Sequence, residues 1–352
     1  MIEPRVVLIT GAAGLLGSRM ADWIIAKHPD VQVVGVDDLS GGFIENVHEN
    51  VIFYKRDISV TESLDDIFQL HKPDLVYHFA AYAAECASPF IRMFNYTNNI
   101  VATANVINNC IKYNAKRIIF TSSMATYGVG NPPFSELDKL HPTDPYGVAK
   151  YACEMDIQIA GEQHNLDWCI LRPHNVYGSK QNIWDPMRNV LGIFMYKTLV
   201  GDPITIFGDG LQQRAFSYID DILEPMWKAG VDSRASREII NIGGINHNTI
   251  VEAAKYVRDQ ASKRELKVPE LIFLPNRHEV KYAYSTYDKS VQLLDFEHKI
   301  GLYEGVGLMW DWVLTQPRRE RQIWDEYELD KEIYPYWKKD ALADGYWKEK
   351  EK

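Results

Sequence analysis

Thr10-Gly11-Ala12-Ala13-Gly14-Leu15-Leu16-Gly17 follows an apolar run, Val6–Thr10, and opens a helical pattern, Gly14–Ala26. It therefore reads as the turn between a buried strand and a helix. Glycines at this spacing let backbone N–H groups and a helix N-terminus approach a pyrophosphate, because no Cβ blocks the contact and the helix dipole favours the anion. Gly11, Gly14, Leu15 and Gly17 are thus expected to seat a dinucleotide.

Outward from this turn, apolar runs alternate with helical patterns. Strands are expected at Val31–Val36, Val51–Tyr54, Leu75–Phe79, Arg117–Thr121 and Trp168–Arg172, and helices at Asn95–Tyr113 and Pro145–Glu162. Continuous apolar strands imply burial on both faces, and the intervening helices supply right-handed crossovers. The fold class is α/β, a doubly wound parallel sheet of the Rossmann kind. A further helix, Phe216–Ala229, and a buried strand, Glu238–Ile242, are expected to return to the sheet. Residues 1–175 plus about 216–243 then form the dinucleotide domain, and about 176–215 with 244–330 form a smaller interleaved substrate lobe. Residues 331–352 make an aromatic and charged C-terminal tail, expected to pack on its own chain or on a neighbour.

Asp37 ends the second strand, where an acidic residue accepts hydrogen bonds from the adenosine ribose hydroxyls. It favours NAD over NADP. A 2′-phosphate would meet the carboxylate, and no arginine follows in Asp38-Leu39-Ser40-Gly41-Gly42 to receive it. Asp57-Ile58, after the third strand, is placed to bracket the adenine. Phe79-Ala80-Ala81, after the fourth, lets the cofactor lie against small side chains, and Asn98 is a polar partner from the next helix.

Tyr146-Gly147-Val148-Ala149-Lys150 places a phenol and an ammonium four residues apart on one helix. The ammonium is expected to lower the phenol pKa toward working pH, which is what oxidation of an alcohol requires. The same spacing recurs at Tyr327/Lys331, Tyr334/Lys338 and Tyr346/Lys350. Only Tyr146/Lys150 lies downstream of both the phosphate turn and an apolar strand ending in hydroxyls, Ile118-Ile119-Phe120-Thr121-Ser122-Ser123. Ser123, Tyr146 and Lys150 are the expected catalytic group, the last two also touching the cofactor.

With 352 residues, 46% of them hydrophobic, the chain can bury a large core. No apolar run approaches the roughly 20 residues that span a bilayer, and Met1-Ile2-Glu3-Pro4-Arg5 leads straight into a strand; a soluble cytoplasmic protein is expected. The net charge of −10 argues against nucleic acid as a partner. Cys86, Cys110, Cys153 and Cys169 show no CxxC spacing and fit a reduced core, with no metal site.

Together the motifs resemble the extended short-chain dehydrogenase/reductase family, in its nucleotide-sugar epimerase and dehydratase branch, and most of all its UDP-glucose (UDP-galactose) 4-epimerases. The resemblance rests on the glycine turn, Asp57-Ile58, His78-Phe79-Ala80-Ala81, Ser122-Ser123 with Tyr127-Gly128, Tyr146-x-x-x-Lys150 and Leu171-Arg172-Pro173-x-Asn175-Val176-Tyr177-Gly178. It continues through Phe207-Gly208-Asp209-Gly210, Gln213-Arg214-x-Phe216-x-Tyr218-Ile219-Asp220-Asp221 and Arg277-x-Glu279-Val280. The resemblance implies that Asn175, Asn189, Arg214 and Arg277 hold the nucleotide diphosphate, a task that suits a guanidinium fork. It also implies that Glu279 meets the far ribose and Phe207 the base. Relatives commonly dimerise through the helices matching Asn95–Tyr113 and Pro145–Glu162, so a homodimer is expected.

In the implied cycle, Tyr146 as phenolate takes the sugar 4-hydroxyl proton, Ser123 hydrogen-bonds the same oxygen, and hydride passes to NAD. The dehydratases of the family follow the catalytic Ser/Thr with Asp and Glu, where this chain has Met124 and Ala125, which transfer no protons. Decarboxylases with a Glu in this stretch, and C3/C5 epimerases with a cysteine at the Ala125 position, are disfavoured on the same ground. What remains is 4-epimerisation. Tyr284, seven residues after Arg277, falls where a bulky side chain obstructs N-acetylated sugars, which favours UDP-glucose and UDP-galactose over the N-acetyl pair. Uronic acids stay open. The chain departs from the best-known subgroup at Ala83, where a lysine is common, and Glu85 and Cys86 follow as either a second proton-transfer group or loop packing. A 4-keto reductase and a non-catalytic NAD sensor are the competing classes; Asp37 speaks against the first and the complete catalytic group against the second.

Overall fold

In the computed structural model, which describes residues 1–321 and 326–337, seven parallel strands form the central sheet. These are β1 (Val6–Thr10), β2 (Gln32–Asp37), β3 (Ile52–Lys55), β4 (Leu75–His78), β5 (Arg117–Thr121), β6 (Trp168–Pro173) and a last strand, Glu238–Ile242. Their spatial order is last strand, β6, β5, β4, β1, β2, β3. The order therefore reverses at β1, whose Thr10 pairs with Val36 on one side and His78 on the other. A crevice opens beyond the carboxyl ends of the strands at such a reversal, and ligands of open α/β sheets bind there.

Successive side chains of β1 show why the strands are apolar throughout. Val7 and Ile9 join one buried cluster with Met20, Ile24, Tyr77, Ile222 and Trp227. Leu8, between them, joins the opposite cluster with Val34, Phe68, Val76, Phe120 and Ile157. A strand alternates faces at every residue, so covering both faces with helices demands an unbroken apolar run. A separate core, with Phe194, Ile204, Ile206, Val257, Met309 and Trp310, gathers helices Val190–Val200, Ile250–Ser262 and Leu302–Val313 beside the sheet.

The expected helix Asn95–Tyr113 is three pieces. Arg92–Tyr96 and Ala102–Lys112 are α-helical, and Thr97–Val101 between them is a wider π turn. The cause lies in polar side chains turned inward. Thr103 Oγ1 donates to Asn99 O at 2.5 Å, Asn99 Nδ2 donates to Asn95 Oδ1 at 2.9 Å, and Asn95 Nδ2 reaches Pro145 O at 3.0 Å. A side-chain donor on the Asn99 carbonyl competes with the helical ladder there, and the turn widens. The expected helix Phe216–Ala229 starts at Ile219, because Ser217–Tyr218 instead pairs with Val176–Tyr177.

The helix carrying Tyr146 and Lys150 runs Pro145–His164. Asp144 caps it by accepting the Gly147 N–H at 2.9 Å, Pro145 fills the first position, and Asn165 ends it in the left-handed conformation. Glu154 of this helix is wholly buried and takes a bidentate contact from Arg172 of β6, at 2.9 Å from Nε and 2.6 Å from Nη2. Ser122 Oγ donates to the same carboxylate, Arg172 Nη1 reaches Tyr127 OH, and that hydroxyl donates to Asn241 Oδ1 in the last strand. Removing one partner of a buried pair strands the other charge. Glu154→Ala is therefore expected to lower unfolding stability by about 3–5 kcal/mol, read as a shifted urea midpoint at constant slope.

Candidate active site

The glycine turn closes so tightly that it admits no side chain at Gly11 or Gly17. Gly11 adopts φ +73°, and a Cβ there would meet Ala80 N at 2.7 Å; one on Gly17 would meet Gly11 O at 2.1 Å. The helix Leu15–Lys27 then begins at Gly14 with no side-chain cap, and Leu15, Leu16 and Gly17 line the crevice. An uncapped N-terminus in a cradle stripped of side chains fits a pyrophosphate. Asp37, at the end of β2, is fixed by the Ala13 N–H at 3.0 Å and the Leu39 N–H at 2.7 Å, with burial raising its pKa. Each of its oxygens retains a lone pair for a ribose hydroxyl.

Beneath the cradle, His78 is locked in one tautomer. Thr103 Oγ1 donates to Asn99 O and so accepts from His78 Nε2–H at 2.9 Å, which leaves Nδ1 to accept from Thr10 Oγ1 at 2.7 Å. Thr10 Oγ1 in turn accepts the Ala80 N–H at 3.3 Å. This chain sets the course of Phe79, Ala80 and Ala81, which line the crevice together with Asp57, Ile58 and Asn98. Asn98 gives its amide nitrogen to Phe94 O at 2.9 Å, while its neighbour Asn99 clasps Tyr82 through both N–H and C=O. Asn98 was expected from the sequence and Asn99 was not; the signal for Asn99 is the spacing of Asn95, Asn99 and Thr103, which share one face every four residues.

Ser123, Tyr146 and Lys150 meet in the same cleft, of about 850 Å³. The Ser123 hydroxyl hydrogen-bonds the Tyr146 phenol, and Lys150 Nζ donates to Thr121 O at 2.8 Å, 5.9 Å from the centre of the Tyr146 ring. Burial pushes Lys150 down to about 8. The expectation that the ammonium lowers the phenol pKa is corrected: burial raises it, the Glu85 charge raises it further, and the Ser123 hydrogen bond and the Arg188 charge draw it down by less. Met124 and Ala125 stand beside these groups.

Opposite them lie Asn175, Asn189, Phe207, Arg214, Arg277 and Glu279. Arg277 stacks on the Phe207 ring at 4.3 Å, and Glu279 receives Arg277 at 3.1 Å, Arg214 at 3.5 Å and Gln212 at 2.9 Å. Asn189 caps helix Val190–Val200 by accepting the Leu191 N–H at 3.0 Å, and Asn175 Nδ2 holds Ala215 O at 2.9 Å. Glu279 thus aligns two guanidinium groups at the cleft wall. Tyr284 is the exception: it does not line the cleft but stacks on His247, with centroids 4.2 Å apart. The strand Tyr282–Ala283 pairs with Gln213-Arg214, and alternation along it turns Ala283 inward and leaves Tyr284 outside.

Nothing in the sequence singled out Arg188, whose guanidinium pairs with Asp185 at 2.9 Å and covers the Tyr82 ring at 4.8 Å within the cleft. The described part of the tail packs on its own chain. Glu328 accepts the N–H groups of Met93 and Phe94 at 2.8 and 2.7 Å, and Tyr334 OH accepts the His278 N–H at 2.9 Å. Arg321, Lys331, Glu332 and Tyr334 reach the cleft; Lys338, Tyr346 and Lys350 lie outside the described residues. Among the described residues no helix is long and apolar enough to cross a membrane, and no three His, Cys, Asp or Glu side chains gather as metal ligands.

A dinucleotide cradle at the switch point of a parallel sheet, facing a serine, a tyrosine and a lysine, defines a cofactor-dependent enzyme of the short-chain dehydrogenase kind. Residues 7–243 match the model of the NAD dependent epimerase/dehydratase family, and the chain belongs to that family. Its cofactor is NAD. A putative UDP-glucose 4-epimerase of Methanocaldococcus jannaschii is 29% identical over 316 residues, covering 89% of this chain and 99% of that protein. The Thermotoga maritima UDP-glucose 4-epimerase, solved with UDP-glucose, superposes with a TM-score of 0.80 at 31% identity, over 88% of this chain and 98% of that one. The Bacillus cereus UDP-glucuronic acid 4-epimerase, solved with UDP-glucuronic acid and NAD, gives 0.78 at 28%, over 88% and 99%.

The locked histidine has a measurable consequence. Burial lowers His78 to about 3 and His174 to about 4; the latter donates Nε2–H to Ser285 Oγ at 2.6 Å and leaves a buried Nδ1 unpartnered. Folded, both bind fewer protons than unfolded histidines, so stability is full above about pH 6.5 and falls as pH drops below it. The loss should reach about 1.4 kcal/mol per histidine per pH unit between pH 6 and 4, visible as a falling Tm. His174→Gln should flatten that slope by one histidine's share.

Proposed function

We propose that the protein interconverts a nucleotide sugar and its C4 epimer, UDP-glucose and UDP-galactose first among candidates, with no net redox. The observation that carries this reading is the composition of the catalytic corner: one phenol hydrogen-bonded to Ser123, with Met124 and Ala125 where a second acid and base would be needed for dehydration. Tyr146 in its ionised form takes the proton of the 4-hydroxyl and later returns it, while Ser123 holds the same oxygen. Lys150, fixed on Thr121 O, keeps a positive charge behind the phenol. NAD, held by the glycine turn and Asp37, would supply the redox chemistry, accepting hydride from C4 and in its reduced form returning it. Arg214 and Arg277, aligned by Glu279, grip the diphosphate as forks. The hexose between them and Tyr146 is then the part free to turn over and present its other face. Because Tyr284 points away and Ala283 lines the cleft, size no longer speaks against N-acetylated hexoses.

A homodimer belongs to the same reading. Val148, Met155 and Ile159 lie exposed along the helix Pro145–His164, with Val101 exposed on the adjoining π turn, an apolar strip that a second copy of the two helices would cover. Met155→Glu with Ile159→Glu should convert the sedimenting species from dimer to monomer.

The activity itself is tested with UDP-glucose and catalytic NAD in deuterated water, followed by NMR. A galacto anomeric signal without carbon-bound deuterium is expected; deuterium at C3, C5 or C6, or net consumption of reduced cofactor by a keto sugar, overturns the cycle. Tyr146→Phe should retain NAD and lose turnover by about 10²–10⁴-fold.

A further inference from the structure

Among the charged groups of the cleft that the cycle above leaves without a task, Glu85 stands between the groups assigned to the sugar and those assigned to the diphosphate. It belongs to the turn that follows Phe79-Ala80-Ala81, lining the cleft with its side chain exposed there. Its position is fixed relative to the catalytic helix by a single buried hydroxyl. Ser88 Oγ donates to Glu85 O at 2.7 Å and accepts the Tyr146 N–H at 3.2 Å, with Asp144 Oδ1 3.4 Å away. The Ser88 N–H adds bonds to Ala84 O at 3.0 Å and Glu85 O at 3.2 Å. The turn and the first residues of the catalytic helix therefore move as one piece.

Two sets of groups act on the Glu85 carboxyl. From the catalytic helix and its cap come Tyr146 and Asp144; from the opposite wall come Arg214, Arg277 and Glu279. Cys86 is its neighbour on the same turn, and His278, Lys331, Glu332 and Tyr334 line the same cleft. If Tyr146 takes the proton of the sugar and the arginines hold its diphosphate, the sugar ring has to lie between those two sets, which is where Glu85 is. That condition makes the inference rest on the nucleotide-sugar reading.

We propose that Glu85 is the specificity-determining residue for the hexose: its carboxylate accepts hydrogen bonds from sugar hydroxyls and repels a sugar carboxylate, selecting neutral hexoses over uronic acids. A charged acceptor makes strong bonds to hydroxyls, and a like charge in the same low-dielectric cleft is an effective device against the wrong ligand. Burial, Asp144 and Glu279 push Glu85 up to about 7, against the pull of the two arginines. The carboxylate is therefore increasingly charged from pH 6 to 8, and discrimination should rise across that interval.

The test compares kcat/KM for UDP-glucose and UDP-glucuronate in the full-length protein with NAD, at pH 6, 7 and 8, for the wild type and Glu85→Gln. The amide keeps the size and loses the charge. Wild-type preference for UDP-glucose should increase with pH. Glu85→Gln should lose about tenfold on UDP-glucose, gain about tenfold on UDP-glucuronate, and show a preference independent of pH. Equal changes on both substrates, or an unaltered ratio, overturn the assignment while leaving the epimerase reading intact. A wild type that turns over neither substrate, nor their C4 epimers, overturns both together.

Discussion

The bidentate contact between Arg172 and Glu154 joins β6 to the helix that carries Tyr146 and Lys150, in an interior where neither charge can be released alone. Around it, Ser122 brings in the end of β5, and Tyr127 with Asn241 brings in the last strand. Three strands and one helix are thereby held in a single arrangement, and Ser123, the residue after Ser122, arrives within reach of the Tyr146 phenol. A purely apolar contact would have been about as stabilising but less directional. The proposed cycle needs direction at this corner, since in it a hydroxyl and a phenol share one oxygen of the substrate.

A second arrangement, independent of the first, shapes the cofactor side. Thr10, His78, Thr103 and Asn99 form one continuous line of donors and acceptors, each hydrogen committed in one sense. It links β1, β4 and the interrupted helix, and it works only with a neutral imidazole. The π turn at Thr97–Val101 is part of the same arrangement, since the Asn99 carbonyl that Thr103 bonds lies within it and also accepts the Ala102 N–H. Electrostatics therefore reaches the cleft in two forms: a fully compensated charge pair under the catalytic helix, and a charge-free relay under the dinucleotide.

The sheet was legible because its strands are buried on both faces; Val6–Thr10, Arg117–Thr121 and Glu238–Ile242 have in the structure the bounds their apolar runs have in the sequence. That Gly11, Gly17 and Asp37 come together at the crevice was legible for a related reason, as all three are read from local spacing around one turn. What escaped depended on pairings between distant segments. Tyr284 was misplaced because the register of Tyr282–Ala283 against Gln213-Arg214 decides which residue faces inward, and no local pattern encodes it. Arg188 gained its place through Asp185 and Tyr82. Lys150 lies where expected, yet the phenol pKa is set first by burial, a quantity that spacing along a helix does not contain.

Gly17 lies so near the carbonyl of Gly11 that the cradle refuses even a methyl group. This divides the molecule into a part that cannot drift and a part that can. A side chain at Gly11 or Gly17 would have to displace backbone, whereas Glu85, Met124, Ala125 and Ala283 line the cleft under no such restriction. Relatives with differently named substrates share one backbone at about 30% identity or less, as expected where the loops around a rigid seat set the substrate.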